Sequence, residues 1–358
     1  MALSLVTGFP GFIGRRLVAA LLAQDPETTV AALVEESQLD TAREVAAAID
    51  PDRIELLVGD IGTRGMGLKD GDLEILASEV RRVYHLAAIY NLAVPLEIAQ
   101  RVNVDGTGNV IELCARAEGL ERFNYVSTAY VAGLRKGVVY EHELVMGQSF
   151  KNHYESTKFQ AEVWVRQLLD RVPTTILRPA IVVGDSKTGV TEKFDGPYYI
   201  LRAVSRAQKM GRPLVQFGRA DAPFNVVPVD YIVKAIATAA ADPQTLGQTL
   251  HLVDPEPLTA RELVEKLASE YGAPPPKGRV PAGLVQASLK LPQVRALFDN
   301  TPPESIAYLN HPVTYDTRRA VQFLGPHGLT PPSFSDYAGP MVRFFKEHEA
   351  DSAFTTPA

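Results

Sequence analysis

The sequence predicts an α/β protein: a doubly wound parallel sheet with a smaller, mostly helical unit toward the C-terminus. Strand-like and helix-like segments alternate through the first half of the 358 residues. The strands are near-continuous apolar runs, as in a parallel sheet covered on both faces. A glycine-rich turn separates the first strand from the first helix, and right-handed crossovers between such units wind a sheet in two directions.

Residues 3–7 read as the first strand and Gly8-Phe9-Pro10-Gly11-Phe12-Ile13-Gly14 as the turn. Leu17, Ala20, Leu21 and Gln24 then recur at helical spacing until Asp25-Pro26 stops them. Further strands are expected over 29–34, 54–58, 82–86, 123–127 and 174–183. Residues 96–118 and 154–172 read as helices, the second with Ala161, Trp164, Val165, Leu168 and Val172 on its inner face. Beyond Gly184 the alternation loosens. A strand-then-helix pattern resumes briefly over 224–236, and short helices and proline pairs follow.

With 46% apolar and 22% charged residues the chain reads as an ordinary globular protein. A net charge of −6 argues against nucleic acid as a partner, since phosphate backbones need a basic footprint. One cysteine, Cys114, excludes an internal disulfide and reads as a small buried hydrophobe. The seven histidines are scattered without metal-ligand spacing, so no metal is expected. No apolar run reaches the roughly 18–20 residues of a membrane span. The N-terminal residues lack a basic region before their apolar run and read as a strand rather than a signal peptide. A cytoplasmic protein is expected.

Thr7 to Gly14 carries glycines at spacing G-x-x-G-x-x-G between a strand and a helix. Glycines there let backbone amides approach a pyrophosphate, and the helix N-terminus adds partial positive charge. The expected ligand is a nicotinamide dinucleotide in a Rossmann-type sheet. Glu35, at the end of the second strand, can accept from both ribose hydroxyls and repels a 2′-phosphate, which favours NAD over NADP. Arg15 and Arg16 weigh the other way, as either can reach a phosphate. Asp60 and Ile61 follow the third strand, where a carboxylate can meet the adenine amino group. On this basis residues 1–185 form the dinucleotide-binding domain, with 224–240 returning to it. Residues 186–223 and 241–348 form the substrate-binding domain, and 349–358 are a frayed tail.

Tyr154 and Lys158 lie four apart on one helix face. A phenol is a poor base at neutral pH, but a nearby ammonium favours its ionised form. The pair can move a proton at a carbonyl or alcohol oxygen. Ser127-Thr128 ends the fifth strand, at the sheet edge where parallel sheets place their ligands.

With these elements in place, the sequence resembles the extended short-chain dehydrogenase/reductases. The matching stretches are Thr7-Gly8-x-x-Gly11-x-x-Gly14, Gly59-Asp60, His85-Leu86-Ala87-Ala88, Asn103-Val104-x-Gly106-Thr107, Ser127-Thr128, Tyr154-x-x-x-Lys158, Arg178-Pro179 and Val227-Pro228-Val229-Asp230. The resemblance implies Thr128, Tyr154 and Lys158 as catalytic residues. It also implies Ala87, Ala88 and Pro179 along the cofactor, which Tyr154 and Lys158 also touch, and Asn103 positioning strand and helix. A narrower resemblance, over 85–90, 126–133 and 150–162, is to the fatty acyl-CoA and carrier-protein thioester reductases. That family usually carries an arginine where Glu35 stands, gripping the NADP phosphate. NAD(H) or NADP(H) is therefore expected, Glu35 leaning to the first and the resemblance to the second.

The resemblance implies reduction of an acyl thioester to aldehyde and onward to alcohol. Without an adenylation or carrier segment in the sequence, the chain is expected to act alone on a small-molecule or carrier-bound acyl substrate. A long apolar groove is expected, with Tyr90, Phe194, Tyr198, Tyr199 and Leu284 as wall candidates. Two enzymatic alternatives use the same residues. One is an alcohol/ketone dehydrogenase of hydroxysteroid or 3-hydroxyacyl type. The other is a sugar-nucleotide epimerase or dehydratase, which needs a basic cluster such as Arg202, Arg206, Lys209, Arg212 and Arg219. A cofactor sensor without chemistry has no need of the proton relay. A homodimer is expected because closed symmetric pairs are the commonest assembly.

Overall fold

The computed structural model describes residues 2–90, 94–217, 221–289, 291 and 305–354. Seven parallel strands form the central sheet, in the order β11-β7-β5-β4-β1-β2-β3. They are β1 (Ala2–Thr7), β2 (Thr28–Val34), β3 (Ile54–Val58), β4 (Val80–His85), β5 (Arg122–Val126), β7 (Thr174–Pro179) and β11 (Thr249–Leu252). The chain runs outward from β1 to β3 and then returns to place β4 on the other side of β1. The direction of winding therefore reverses between β1 and β4, and a crevice opens there at the carboxyl ends of the strands.

Alternation along each strand divides the core. Val6, Val30, Ala32 and Leu177 face α1 (Phe12–Gln24), α2 (Leu39–Ile49) and α8 (Val229–Ala241). Leu5, Ala31, Val83, Phe123 and Ile176 face α3 (Asp70–Glu79), α5 (Gly106–Arg116) and α6 (His153–Gln167). Cys114 is buried in this second layer. A third cluster, made by α7 (Pro197–Lys209), α9 (Ala260–Tyr271) and α13 (Phe334–His348), forms a separate core beside the sheet.

The expected strand over 174–183 is two. Pro179 has no amide hydrogen to continue the ladder, so β7 ends there. β8 (Ile181–Val183) turns away to pair with β10 (Val226–Pro228). Of the segment 224–240, α8 packs on α1 and the main sheet, whereas its strand does not join that sheet. Residues 241–348, assigned wholly to the second unit, instead supply edge strand β11 and the helix α12 (Arg318–Leu324), whose Ala320 and Leu324 enter the sheet-side core.

The tail is not frayed as far as it is described. Glu349 accepts hydrogen bonds from Ser205 and Lys209, and Phe354 stacks on Phe194 at 4.8 Å. Burying an aromatic ring against a ring cluster offsets the entropy of ordering the chain end. Residues 355–358 of the expected tail lie outside the described residues.

Candidate active site

The crevice is floored by the glycine turn. Gly8 has φ of +90°, and a Cβ there would sit 2.9 Å from the Ala87 amide. A Cβ on Gly14 would sit 2.3 Å from the Gly8 carbonyl, so the turn and helix close on each other only with glycine at both positions. Helix α1 begins at Gly11 with no side-chain cap and no acid in its first turn, leaving its dipole to an external anion. Phe9 and Pro10 are buried beneath the turn, while Phe12 and Ile13 start the helix half-buried. The residues present fit a dinucleotide. Thr7 to Gly14 would hold its pyrophosphate, and Glu35, exposed at the carboxyl end of β2, would face the adenosine ribose.

Arg15 and Arg16 do not stand free for a phosphate. Arg15 pairs with Glu192, and Arg16 lies 3.7 Å from the same carboxylate with its guanidinium over the Phe12 ring. Asp60 closes its own turn: it accepts from the Gly62 amide at 2.8 Å and from Arg101 at 2.7 Å. Burial works against its charge, but those two donors hold the carboxyl below its ordinary range. Ile61 beside it is buried and packs on Gly106.

A continuous polar chain joins the glycine turn to α6. Thr107 donates its one hydroxyl proton to the Asn103 carbonyl at 2.7 Å. His85 Nε2, 3.0 Å from that hydroxyl, must then be the protonated nitrogen. His85 Nδ1 accepts from Thr7 at 2.7 Å, and Thr7 Oγ1 in turn accepts from the Ala87 amide. Burial, with Lys158 adding to it, holds His85 down at about 3, so the ring is neutral. Asn103 completes the chain. Its Oδ1 takes the Ile89 amide, and its Nδ2 donates to Thr157, which donates to the His153 carbonyl. Asn103 lies on a π-helical stretch, Gln100–Asp105, between α4 (Leu96–Ala99) and α5.

Tyr154 enters the crevice from the first turn of α6. The cap of that helix is Asn152, which accepts from the Glu155 amide at 3.0 Å, and His153 is exposed. Thr128, at the end of β5, is buried and faces both the Pro179 carbonyl, 3.4 Å away, and the Tyr154 hydroxyl. Lys158 donates to the Val126 carbonyl at 2.8 Å and lies 4.5 Å from the Tyr125 ring centre. The structure thus brings Thr128, Tyr154, Lys158, Asn103 and the glycine turn to one edge of the sheet.

The electrostatics differ from the expected activation of the phenol. Burial pushes Tyr154 up to about 12, which outweighs the hydrogen bond from Thr128, and Glu155 adds to the rise. Lys158 is itself held down to about 7 by burial, partly countered by Glu162. An amine bonded to a backbone carbonyl does not offset the desolvation of the phenol. The Tyr154 hydroxyl therefore keeps its proton at neutral pH.

Charges behind this edge were not foreseen as site residues. Glu162, fully buried, accepts from Ser127, Arg178 and Arg166. Burial opposes its charge, yet the two arginines hold it at about 2. Lys151 and Glu155 form a second buried pair at 2.9 Å, the lysine also reaching the Gly133 carbonyl. The signal was legible as carboxylates at one and four positions beyond the tyrosine and lysine, on the face that tertiary packing buries.

Other expectations fall away. Phe194 and Tyr198 are completely buried in the helical core, so they are not groove walls. Leu284 is exposed on α10 (Ala282–Leu289). Arg202 bonds the Phe354 carbonyl and Lys209 bonds Glu349, so neither is offered to a diphosphate; Arg219 lies outside the described residues. Trp164, expected on the inner face of α6, is 42% exposed. No helix among the described residues is long and apolar enough to cross a membrane.

Sheet order, glycine turn and crevice define a nicotinamide-dinucleotide-binding fold of the extended short-chain dehydrogenase/reductase type. The NAD-binding family described as male sterility protein matches residues 6–236, and the chain belongs to it. It is 28% identical over 271 residues to the non-canonical nonribosomal peptide synthetase FrzA of a Cladobotryum species, covering 70% of this chain and 26% of that protein. It is 26% identical to the L-2-aminoadipate reductase large subunit of Penicillium chrysogenum, covering 68% of this chain and 18% of the relative. The chain thus spans about a quarter or less of these relatives. Among solved structures, the terminal R domain of the myxalamid PKS-NRPS biosynthetic pathway superposes with a TM-score of 0.81 at 25% identity, covering 99% of this chain and 92% of that one.

Proposed function

We propose that the chain is an NAD(P)H-dependent oxidoreductase that reduces an acyl thioester, on coenzyme A or on a carrier, to the aldehyde. The observation that carries this reading is the meeting of Thr128 and a protonated Tyr154 at the carboxyl end of β5, beside the glycine turn. The family and the reductase relatives support it. The dinucleotide, when bound in its reduced form, supplies hydride. Tyr154 and Thr128 donate hydrogen bonds to the thioester oxygen, where negative charge develops. Tyr154 gives its proton to that oxygen, and the resulting hemithioacetal releases thiol and aldehyde. A second hydride and proton would carry the aldehyde to alcohol. Lys158 would hold the nicotinamide ribose, and Asn103 would fix α6 against the strand edge through Thr157. A phenol that is protonated at neutral pH suits reduction rather than oxidation.

NAD(H) is the proposed cofactor form. Glu35 is exposed at the adenosine end, and Glu192 already engages both arginines that could grip a 2′-phosphate. The division into dinucleotide-binding and substrate-binding units is proposed to follow the cores: both faces of the central sheet for the first, and the α7, α9 and α13 cluster for the second. A homodimer in the cytoplasm completes the proposal. The test is nicotinamide fluorescence decay with NADH and NADPH separately, each with a long-chain acyl-CoA and with a matched ketone. Decay with the thioester, with release of free thiol, is expected. Decay with the ketone alone would replace this reading with a ketone reductase.

A further inference from the structure

Tyr125 is a buried phenol that the mechanism above does not use. It lies on β5 two residues before Ser127, and none of its surface reaches solvent. It stands opposite His85 across the β4–β5 ladder, with the two rings stacked at 5.8 Å between centres. The Lys158 ammonium lies 4.5 Å from the Tyr125 ring centre and donates to the Val126 carbonyl at 2.8 Å. Adjacent residues of one strand thus present a ring and a carbonyl to the same ammonium. The Tyr125 hydroxyl comes near those of Thr107 and Ser127 but makes a hydrogen bond of good geometry to neither. What Tyr125 offers this site is the face of its ring.

Lys158 is buried, and a buried ammonium keeps its charge only with compensation. The acid on its own helix is committed elsewhere. Glu162, one turn further along α6, is engaged by Arg178 of β7, by Arg166 and by Ser127. Tyr154, one turn before, is a neutral phenol, and His85 on β4 is a neutral ring. The ammonium is met instead by a carbonyl oxygen and an aromatic face. Both are negative poles. The face of a phenol ring carries the negative part of its quadrupole, and its pull on a cation within about 6 Å strengthens as water is excluded. Burial still brings Lys158 down to about 7, against the support of Glu162, so the loss of one further pole matters at neutral pH.

We propose that Tyr125 is a positioning residue for Lys158, its ring face serving as the negative pole that keeps the buried ammonium charged beside the reacting edge. This inference rests on the proposed function, in which Lys158 would hold the nicotinamide ribose, and deepens it. Tyr125 acts through the lysine rather than on cofactor or substrate. Its contribution is the sign of the ring face and not its bulk, so a ring of the same shape with that sign reversed should fail.

The test is a carbon NMR titration of the full chain, labelled at the lysine ε-carbon and without dinucleotide. The Lys158 signal is identified by its loss in Lys158→Met. Tyr125→Phe should titrate within about 0.3 pH unit of the wild type, because it keeps the face and drops only the hydroxyl. Tyr125→pentafluorophenylalanine nearly keeps the shape and reverses the sign of the face. Its Lys158 midpoint should fall by about one pH unit or more, and Tyr125→Leu should move it the same way. A packing role alone would lower the urea midpoint of these variants without moving the titration of one lysine. A Lys158 midpoint unmoved by fluorination and by Tyr125→Leu, or moved as far by Tyr125→Phe, overturns the inference. NADH affinity, measured by fluorescence, separates it from the function it rests on. A fluorination shift together with unchanged NADH affinity in Lys158→Met sustains the contact and overturns the ribose role.

Discussion

Replacing Glu162 with glutamine tests the charge cluster that backs the reacting edge. The side chain is completely buried, and its carboxylate accepts from Arg178 at 2.6 Å and 3.0 Å, from Arg166 at 3.0 Å and from Ser127 at 2.7 Å. Glutamine keeps the volume but removes the charge and turns an N–H toward a guanidinium. Arg178, itself completely buried, keeps only neutral acceptors: the carbonyls of Glu141 and Glu143 and the ring of His251. At charge centres about 4 Å apart and an effective dielectric of about 20, the lost attraction is about 4 kcal/mol. That agrees with the roughly 3–5 kcal/mol seen when one partner of a buried pair is removed. Against a typical stability of about 5–15 kcal/mol it is a large fraction. Glu162 also supports the charged form of Lys158, so Glu162→Gln moves the loss of that ammonium to lower pH.

The assay is equilibrium urea unfolding of the wild type, Glu162→Gln, Arg178→Met and the double variant, with a pH–rate profile beside it. The double variant should be less destabilised than the sum of the singles by about 2 kcal/mol or more, since it leaves neither charge orphaned. Glu162→Gln within about 1 kcal/mol of the wild type, together with an additive double variant, would refute the reasoning.

Three further outcomes are expected. Gly14→Ala should abolish dinucleotide binding, measured by nicotinamide fluorescence, because its Cβ would lie 2.3 Å from a backbone carbonyl that cannot move aside; unchanged affinity would remove the cradle assignment. Tyr154→Phe should retain dinucleotide binding and lose turnover by about 10²–10⁴-fold; turnover near the wild-type rate would end its role as proton donor. Acid should destabilise the fold between pH 6.5 and about 4. Burial holds His85 and His251 at about 3 and His311 at about 4, so in that window the unfolded chain binds the extra protons. Asp195, raised to about 6 by burial, opposes them by protonating first in the folded chain. At pH 5 these four groups leave a net of about two protons, or about 2.7 kcal/mol per pH unit. Urea midpoints that stay level from pH 6.5 to 5 would contradict this.

Much of the molecule was decided by local chemistry that a sequence displays. Alternating apolar strands and helices dictate a parallel sheet, because only a sheet covered on both faces buries such strands. The glycine spacing at Gly8, Gly11 and Gly14 records a backbone approach that no side chain permits. Tyr154 and Lys158 share a face by helical geometry alone. Long-range packing decided the rest. The inner face of α6 keeps Ala161 and Val165 of the expected apolar stripe but not Trp164, and beside them it buries Glu155, Lys158 and Glu162, made tolerable by Lys151 and by Arg178 from another strand. Edge strand β11 has no local mark that assigns it to the sheet, since its place depends on pairing with β7 across more than seventy residues. The proton affinity of Tyr154 also belongs to this class. Proximity in sequence promised an ammonium that would lower it, and burial, which only the assembled cleft provides, raised it instead.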